Sequence, residues 1–98
     1  MFELEISEPA DQQLGSLRAD PSQAKRFKAV SKALRLLASN PRHPGLNTHE
    51  WKGDKCPHGD KLWEAYAENH TPGAFRIFFC YPPQKKARIC IVAITPHP

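Results

Sequence analysis

Residues 63–79 read WEAYAENHTPGAFRIFF, and no other stretch limits the fold as tightly. Two runs rich in aromatic and β-branched residues flank a polar segment containing Pro and Gly, the pattern of two strands joined by a reversal. Glu64 lies in the first run and Arg76 in the second. A chain of 98 residues with 40% apolar side chains has a small core, so charges inside its best strands need a reason. They are either an ordinary cross-strand ion pair or groups that face a ligand.

The rest of the chain supplies what such a hairpin needs. FELEI alternates Phe2, Leu4 and Ile6 with Glu3 and Glu5 and predicts a strand with one face on a core,. Ser7 is placed to cap a short helix through about Leu17, with Pro9 in its first turn,. Asp20, Pro21 and Gln23 then read as N-cap, first position and capping box of a second helix,. In that helix Phe27, Val30, Leu34 and Leu37 form a stripe,. NPRHPG ends it,. A strand is expected over residues 46–52, an exposed loop over 53–60, and a last strand over RICIVAI. The expected fold is α+β: one domain over residues 1–98, with an N-terminal strand and a helical hairpin on a mostly antiparallel sheet of four or five strands,.

Side chains alternate along a strand, so Phe75, Ile77, Phe79 and Tyr81 share one face, expected under the helices,. Arg76, Phe78 and Cys80 share the other. A turn centred on Gln84 and Lys85 sets Cys80 opposite Cys90, Phe78 opposite Val92 and Arg76 opposite Ile94,. With Trp63 in the core, Leu62, Glu64 and Tyr66 join Arg76 on the uncovered face. His97 follows the last strand and can fold over the same area.

Charge is unevenly spread. Residues 1–20 hold five acids and one base, whereas residues 21–49 hold Lys25, Arg26, Lys28, Lys32, Arg35 and Arg42 without an acid. Such a block suits a polyanion, either nucleic acid or an acidic protein, or else a solvated helix face. Three cysteines form no framework and fit reduced thiols in a reducing compartment,. Cys56-Pro57-His58 lacks the further ligands of a zinc site, so no metal is expected,. No run approaches the roughly 20 apolar residues of a membrane helix. MFELEIS lacks the basic-then-apolar order of a secretory leader,. The expected location is cytoplasmic, with no membrane partner.

The element order, with LWEAY, AFRIFF and IVAITPHP, resembles the RelE/ParE superfamily of bacterial toxins from type II toxin–antitoxin systems. The resemblance runs from FELEI nearly to the end of the chain. It implies a toxin neutralised by a cognate antitoxin, with no cofactor. Many members cleave mRNA on the ribosome without metal, whereas the ParE-like branch inhibits DNA gyrase and has no nuclease chemistry. A third reading keeps the fold as a catalytically silent RNA-binding module. On this resemblance Arg76 matches the strand arginine of the nucleases, His97 their C-terminal histidine or tyrosine, and Glu64 the glutamate of the leucine-Trp-Glu motif. Tyr66 departs from the pattern, because relatives often carry arginine there.

Metal-independent RNA cleavage needs a base for the 2′-hydroxyl, positive charge at the phosphoryl oxygens and an acid for the leaving oxygen. Arg76 suits the charge, since guanidinium grips phosphate through two parallel hydrogen bonds. His97 suits proton transfer. Glu64 is a candidate base, with His49 and Glu50 as rivals. Lys52, Lys55 and Lys61 would bind backbone, and Tyr66 or Trp51 would stack an unpaired base. His43, His58 and His70 lie in Pro- and Gly-bearing loops and are expected in solvent.

Overall fold

A computed structural model describes residues 1–57, 60–68, 73–82 and 87–97. The chain runs β1 (Glu3–Ile6), α1 (Glu8–Ala19), a 3₁₀ turn (Pro21–Gln23), α2 (Ala24–Ser39), a second 3₁₀ turn (Pro44–Leu46), β2 (His49–Lys55), β3 (Lys61–Tyr66), β4 (Phe75–Cys80) and β5 (Arg88–Pro96). The five strands form one sheet in the order β1-β5-β4-β3-β2. β1 and β5 run parallel, and the other neighbours are antiparallel. The architecture is mixed α/β, with both helices against one face of the sheet.

The helices form for local reasons. Ser7 Oγ accepts the Ala10 amide at 3.3 Å, closing the open end of α1,. Asp20 caps the 3₁₀ turn, accepting the Ser22 amide at 3.0 Å, and α2 begins only at Ala24. The capping box expected of Gln23 does not form, because its side-chain oxygen accepts from Arg26 at 3.3 Å instead. Val30, Leu34 and Leu37 are buried as the stripe requires, with Ala10, Leu14 and Leu17 beneath α1. They pack on Ala65, Ile77, Phe79, Ile89, Ile91 and Ile94 of the sheet, each fully buried aliphatic side chain contributing about 2 kcal/mol.

β4 is the central strand and is buried on both faces, which explains its composition,. Its helix-side row is the expected one, although Tyr81 sits at the rim and is 36% exposed. The other row also lies on its expected face, but its β5 partners differ from expectation beyond Cys80 and Cys90, which do pair. Phe79 pairs with Ile91 but Phe78 with Ala93, so Val92 is an extra residue,. Arg76 therefore faces Thr95, not Ile94, and Ile94 is core. α1 satisfies the edge of β5 here: Ser7 Oγ donates to the Val92 carbonyl at 3.0 Å, and Gln13 Oε1 accepts the Ile94 amide at 2.7 Å,.

Two expectations along residues 41–60 are corrected. The strand starts at His49, because Leu46 is fully buried in a 3₁₀ turn. It continues through Gly53 to Lys55 with a register shift, so part of the expected loop is strand. The cysteines are not all reduced: Cys56 and Cys80 form a disulfide, leaving Cys90 as the free thiol. In the chain-entropy account a loop of 24 residues is worth about 3 kcal/mol of stability. The reversal expected at Gln84 and Lys85, and the exposure expected of His58 and His70, fall outside the described residues. No helix among the described residues is long and apolar enough to cross a membrane.

Candidate functional site

The face of the sheet opposite the helices carries Glu64 and Arg76, as strand parity predicted. Neither is open to solvent: Glu64 is 1% exposed and Arg76 3%. β2 brings His49 directly across from Glu64. The extra residue at Val92 puts Thr95 on Arg76's face, and by alternation His97 follows it there,. The His97 amide donates to the Ala74 carbonyl at 2.9 Å, continuing the ladder past β5.

Glu64 is the centre of this arrangement. His97 Nδ1 lies 3.0 Å from Oε2 in a hydrogen bond. His49 Nε2 comes within 2.7 Å of Oε1, a charge contact without hydrogen-bond alignment, which leaves Oε1 with no aligned donor. A buried carboxylate without compensation costs several kcal/mol; the His97 hydrogen bond offsets part of this at Oε2, and the His49 ring lies against Oε1. Both Glu64 oxygens thus face histidines, one from β2 and one from the residue after β5.

Donor and acceptor rules assign the ring protons. His49 Nδ1 is 2.8 Å from the Asn47 carbonyl, which can only accept, so Nδ1 carries hydrogen. Asn47 holds its carbonyl in place from a left-handed conformation, φ 46°, which asparagine tolerates,. His97 differs. Its Nδ1–H donates to Glu64, and its Nε2 has no partner among the described residues. The His97 side chain is 44% exposed. It is thus an imidazole whose tautomer is set by a buried carboxylate and whose other nitrogen can take or give a proton.

Arg76 lies beneath Tyr66, its guanidinium carbon 3.9 Å from the ring centre. That cation–π contact is worth about 2 kcal/mol when desolvated. The arginine also donates to the Phe75 carbonyl at 3.2 Å. Tyr66, expected to stack a base, instead covers the guanidinium, and the His49 ring meets it edge-on at 5.9 Å. Trp51 stands edge-on to both His97, at 5.9 Å, and Phe78, at 5.5 Å. Beside them a groove of about 400 Å³ runs between Trp51, Lys55 and Pro57 on one side and Phe78, Ala93 and Thr95 on the other.

Other expected site residues are not gathered here. Glu50 pairs across from Trp63 on the helix side of the sheet and lies 3.9 Å from Lys61. It is not a rival base at Glu64. Lys52 is exposed and follows Trp51, so alternation turns it from the site,. Lys55 borders the groove. His43 is half-buried, accepting the Gly45 amide at 3.0 Å. A second hollow, of about 490 Å³, lies on the helix side between Arg42, Trp63 and Tyr81 and holds none of the candidate groups. The basic face of α2 is likewise on the far layer. Among the described residues no three His, Cys, Asp or Glu side chains are disposed to hold a metal ion. No family model, curated protein or solved structure matches this chain.

Proposed function

We propose that this chain is a RelE/ParE-like toxin that cleaves ribosome-bound mRNA without metal and is neutralised by a cognate antitoxin in the cytoplasm. One observation carries the chemistry: His97, Glu64, His49 and Arg76 converge on the sheet face that the helices leave uncovered. The element order and the LWEAY, AFRIFF and IVAITPHP segments support the toxin assignment and its partners.

In this reading the 2′-hydroxyl attacks the adjacent phosphorus, forming a 2′,3′-cyclic phosphate and releasing a 5′-hydroxyl end. His97 Nε2 takes the 2′ proton, and Glu64 holds the ring and stabilises the imidazolium that results. The leaving oxygen needs a proton in turn, for which His49, across the ladder from Glu64, is the candidate donor. Arg76 neutralises the phosphoryl oxygens once the Tyr66 ring swings aside. Glu64, first a candidate base, becomes the group that orients the base. The basic face of α2 and the outer edge of β2 are the surfaces offered to an antitoxin.

The test is purified protein added to translating ribosomes, with mRNA 5′ ends mapped beside a gyrase supercoiling assay. Cleavage with supercoiling intact supports the proposal. Stalled supercoiling with intact mRNA would assign the chain to the gyrase-directed class.

A further inference from the structure

The groove beside His97 has one wall whose pairing to the sheet is interrupted between Trp51 and Lys55. Its residues Trp51, Lys55 and Pro57 belong to the distal part of β2 and its continuation. There the β2–β3 register shifts between Trp51 and Lys55. Past the shift, pairing resumes only at Lys55 with Lys61, and the Cys56 amide donates to the Asp60 carbonyl at 2.9 Å. The covalent tie is the Cys56–Cys80 disulfide, which reaches over β3 to the end of β4. The opposite wall stands on β4 and β5 and does not depend on that bond.

Cys80 has a second sulfur beside it. Cys90 is its register partner across β4 and β5, so both side chains point to the same face,. Partners in an antiparallel ladder have Cα atoms about 4.5–5.5 Å apart, inside the range that a disulfide spans. Cys56 and Cys80 are buried at 3% and 0% exposure, whereas the free Cys90 is half-buried. The free thiol is therefore carried directly across the ladder from the shared half of the bond, on the same face.

The geometry points to an intramolecular thiol–disulfide exchange in which Cys80 trades Cys56 for Cys90, freeing the wall of the groove beside the candidate site. The Cys90 thiol loses its proton to solvent, and the thiolate attacks Cys80 Sγ. The Cys80–Cys90 bond forms as the Cys56–Cys80 bond breaks, and the electron pair leaves on Cys56 Sγ, which takes up a proton. No net oxidation or reduction occurs, so no outside reagent is needed for the swap itself. Cys56 then no longer anchors the stretch past the register shift, up to residue 57, to β4. Burial, and then the carboxylate of Glu5 across from it, push the Cys90 thiol up and keep the exchange slow. This inference gives the proposed site a means of control and in that respect rests on it, but the exchange and the loosening can be measured without any cleavage assay.

The full chain, oxidised and then exposed to graded dithiothreitol, is quenched with an alkylating agent and mapped by mass spectrometry without reduction. The expected species has Cys56 alkylated and Cys80 bonded to Cys90, and it is absent from Cys90→Ser. Hydrogen exchange is then compared between the native chain and Cys56→Ser, in which Cys80 is left to pair with Cys90. Amides of residues 51–57 should exchange at least 10-fold faster in the variant, with β4 unchanged. The inference is overturned if Cys56 and Cys80 become alkylated only together, with no Cys80–Cys90 species at any reductant ratio. Equal exchange at residues 51–57 would overturn the loosening. If Cys56→Ser does not fold, the trapping experiment on the native chain decides alone.

Discussion

His97 Nδ1 donates to Glu64 Oε2 at 3.0 Å, although 33 residues separate the two in the chain. The contact joins a partly exposed imidazole to a buried carboxylate, and the proposed chemistry starts from it. What Glu64 provides is a fixed tautomer at His97 and a counter-charge when that ring is protonated.

Replacing Glu64 separates the two contributions. Glu64→Gln keeps an oxygen for the His97 N–H but removes the charge, so cleavage should fall by about 10²-fold with the fold retained. Glu64→Ala removes both and leaves a cavity at a buried strand position, and should cost about 2 kcal/mol in urea unfolding as well. Equal stability of the two variants would mean that the buried carboxylate is not held by its histidines.

Tyr66 is read as a cover over Arg76. Tyr66→Phe keeps the ring and its contact with the guanidinium and should cost less than Tyr66→Ala,. Tyr66→Ala removes the cation–π contact and buried ring area and should cost about 3 kcal/mol in chemical unfolding. If both variants unfold like the native chain, the ring does not shield the guanidinium.

The extra residue in β5 is what puts His97 on the site face. Deleting Val92 should restore simple pairing between β4 and β5 and move Thr95 and His97 by one strand position,. The His97–Glu64 contact should then be absent in a crystal structure of the variant, and cleavage should drop to background. A deletion that keeps both the contact and the activity would show that the chain end finds Glu64 independently of register.

Tyr81 gives a pH dependence. Burial raises its hydroxyl above the ordinary value of 10.0, with Arg42 opposing in part. The unfolded chain then loses this proton first, so the contribution is fully present below pH 10.0 and is lost as pH rises through the folded value. The effect is small because the ring is at the rim. Unfolding midpoints measured from pH 9 upward should fall less steeply in Tyr81→Phe than in the native chain. Identical slopes would mean that folding leaves the Tyr81 hydroxyl as acidic as it is in the unfolded chain.

Periodicity made much of the fold legible. The helix stripe of Val30, Leu34 and Leu37, the Ser7 cap and the two rows of β4 all follow from local rules and appear as expected,. So does the placing of Glu64 and Arg76 on one face. The register of β5 did not follow, because a bulge depends on α1 supplying Ser7 and Gln13 to an edge that the sequence does not reveal as unpaired. The disulfide was hidden for a related reason: Cys56, just after β2, and Cys80, at the end of β4, meet only once β3 has paired between those strands. Within the site, His49 and His97 were visible as candidates, but their sharing of one carboxylate was not. That sharing arises from three strands and the residue after the last of them. The only sequence hint was a glutamate in a run otherwise too apolar to leave it unpaired.

The most direct measurement is single-turnover cleavage of mRNA on translating ribosomes, in the presence of a metal chelator, by the native chain and by His97→Ala. The native chain should leave 2′,3′-cyclic phosphate and 5′-hydroxyl ends, and the variant should be slower by at least about 10²-fold while its circular dichroism spectrum is unchanged. Equal rates for the two proteins, or no cleavage by the native chain, would contradict the account.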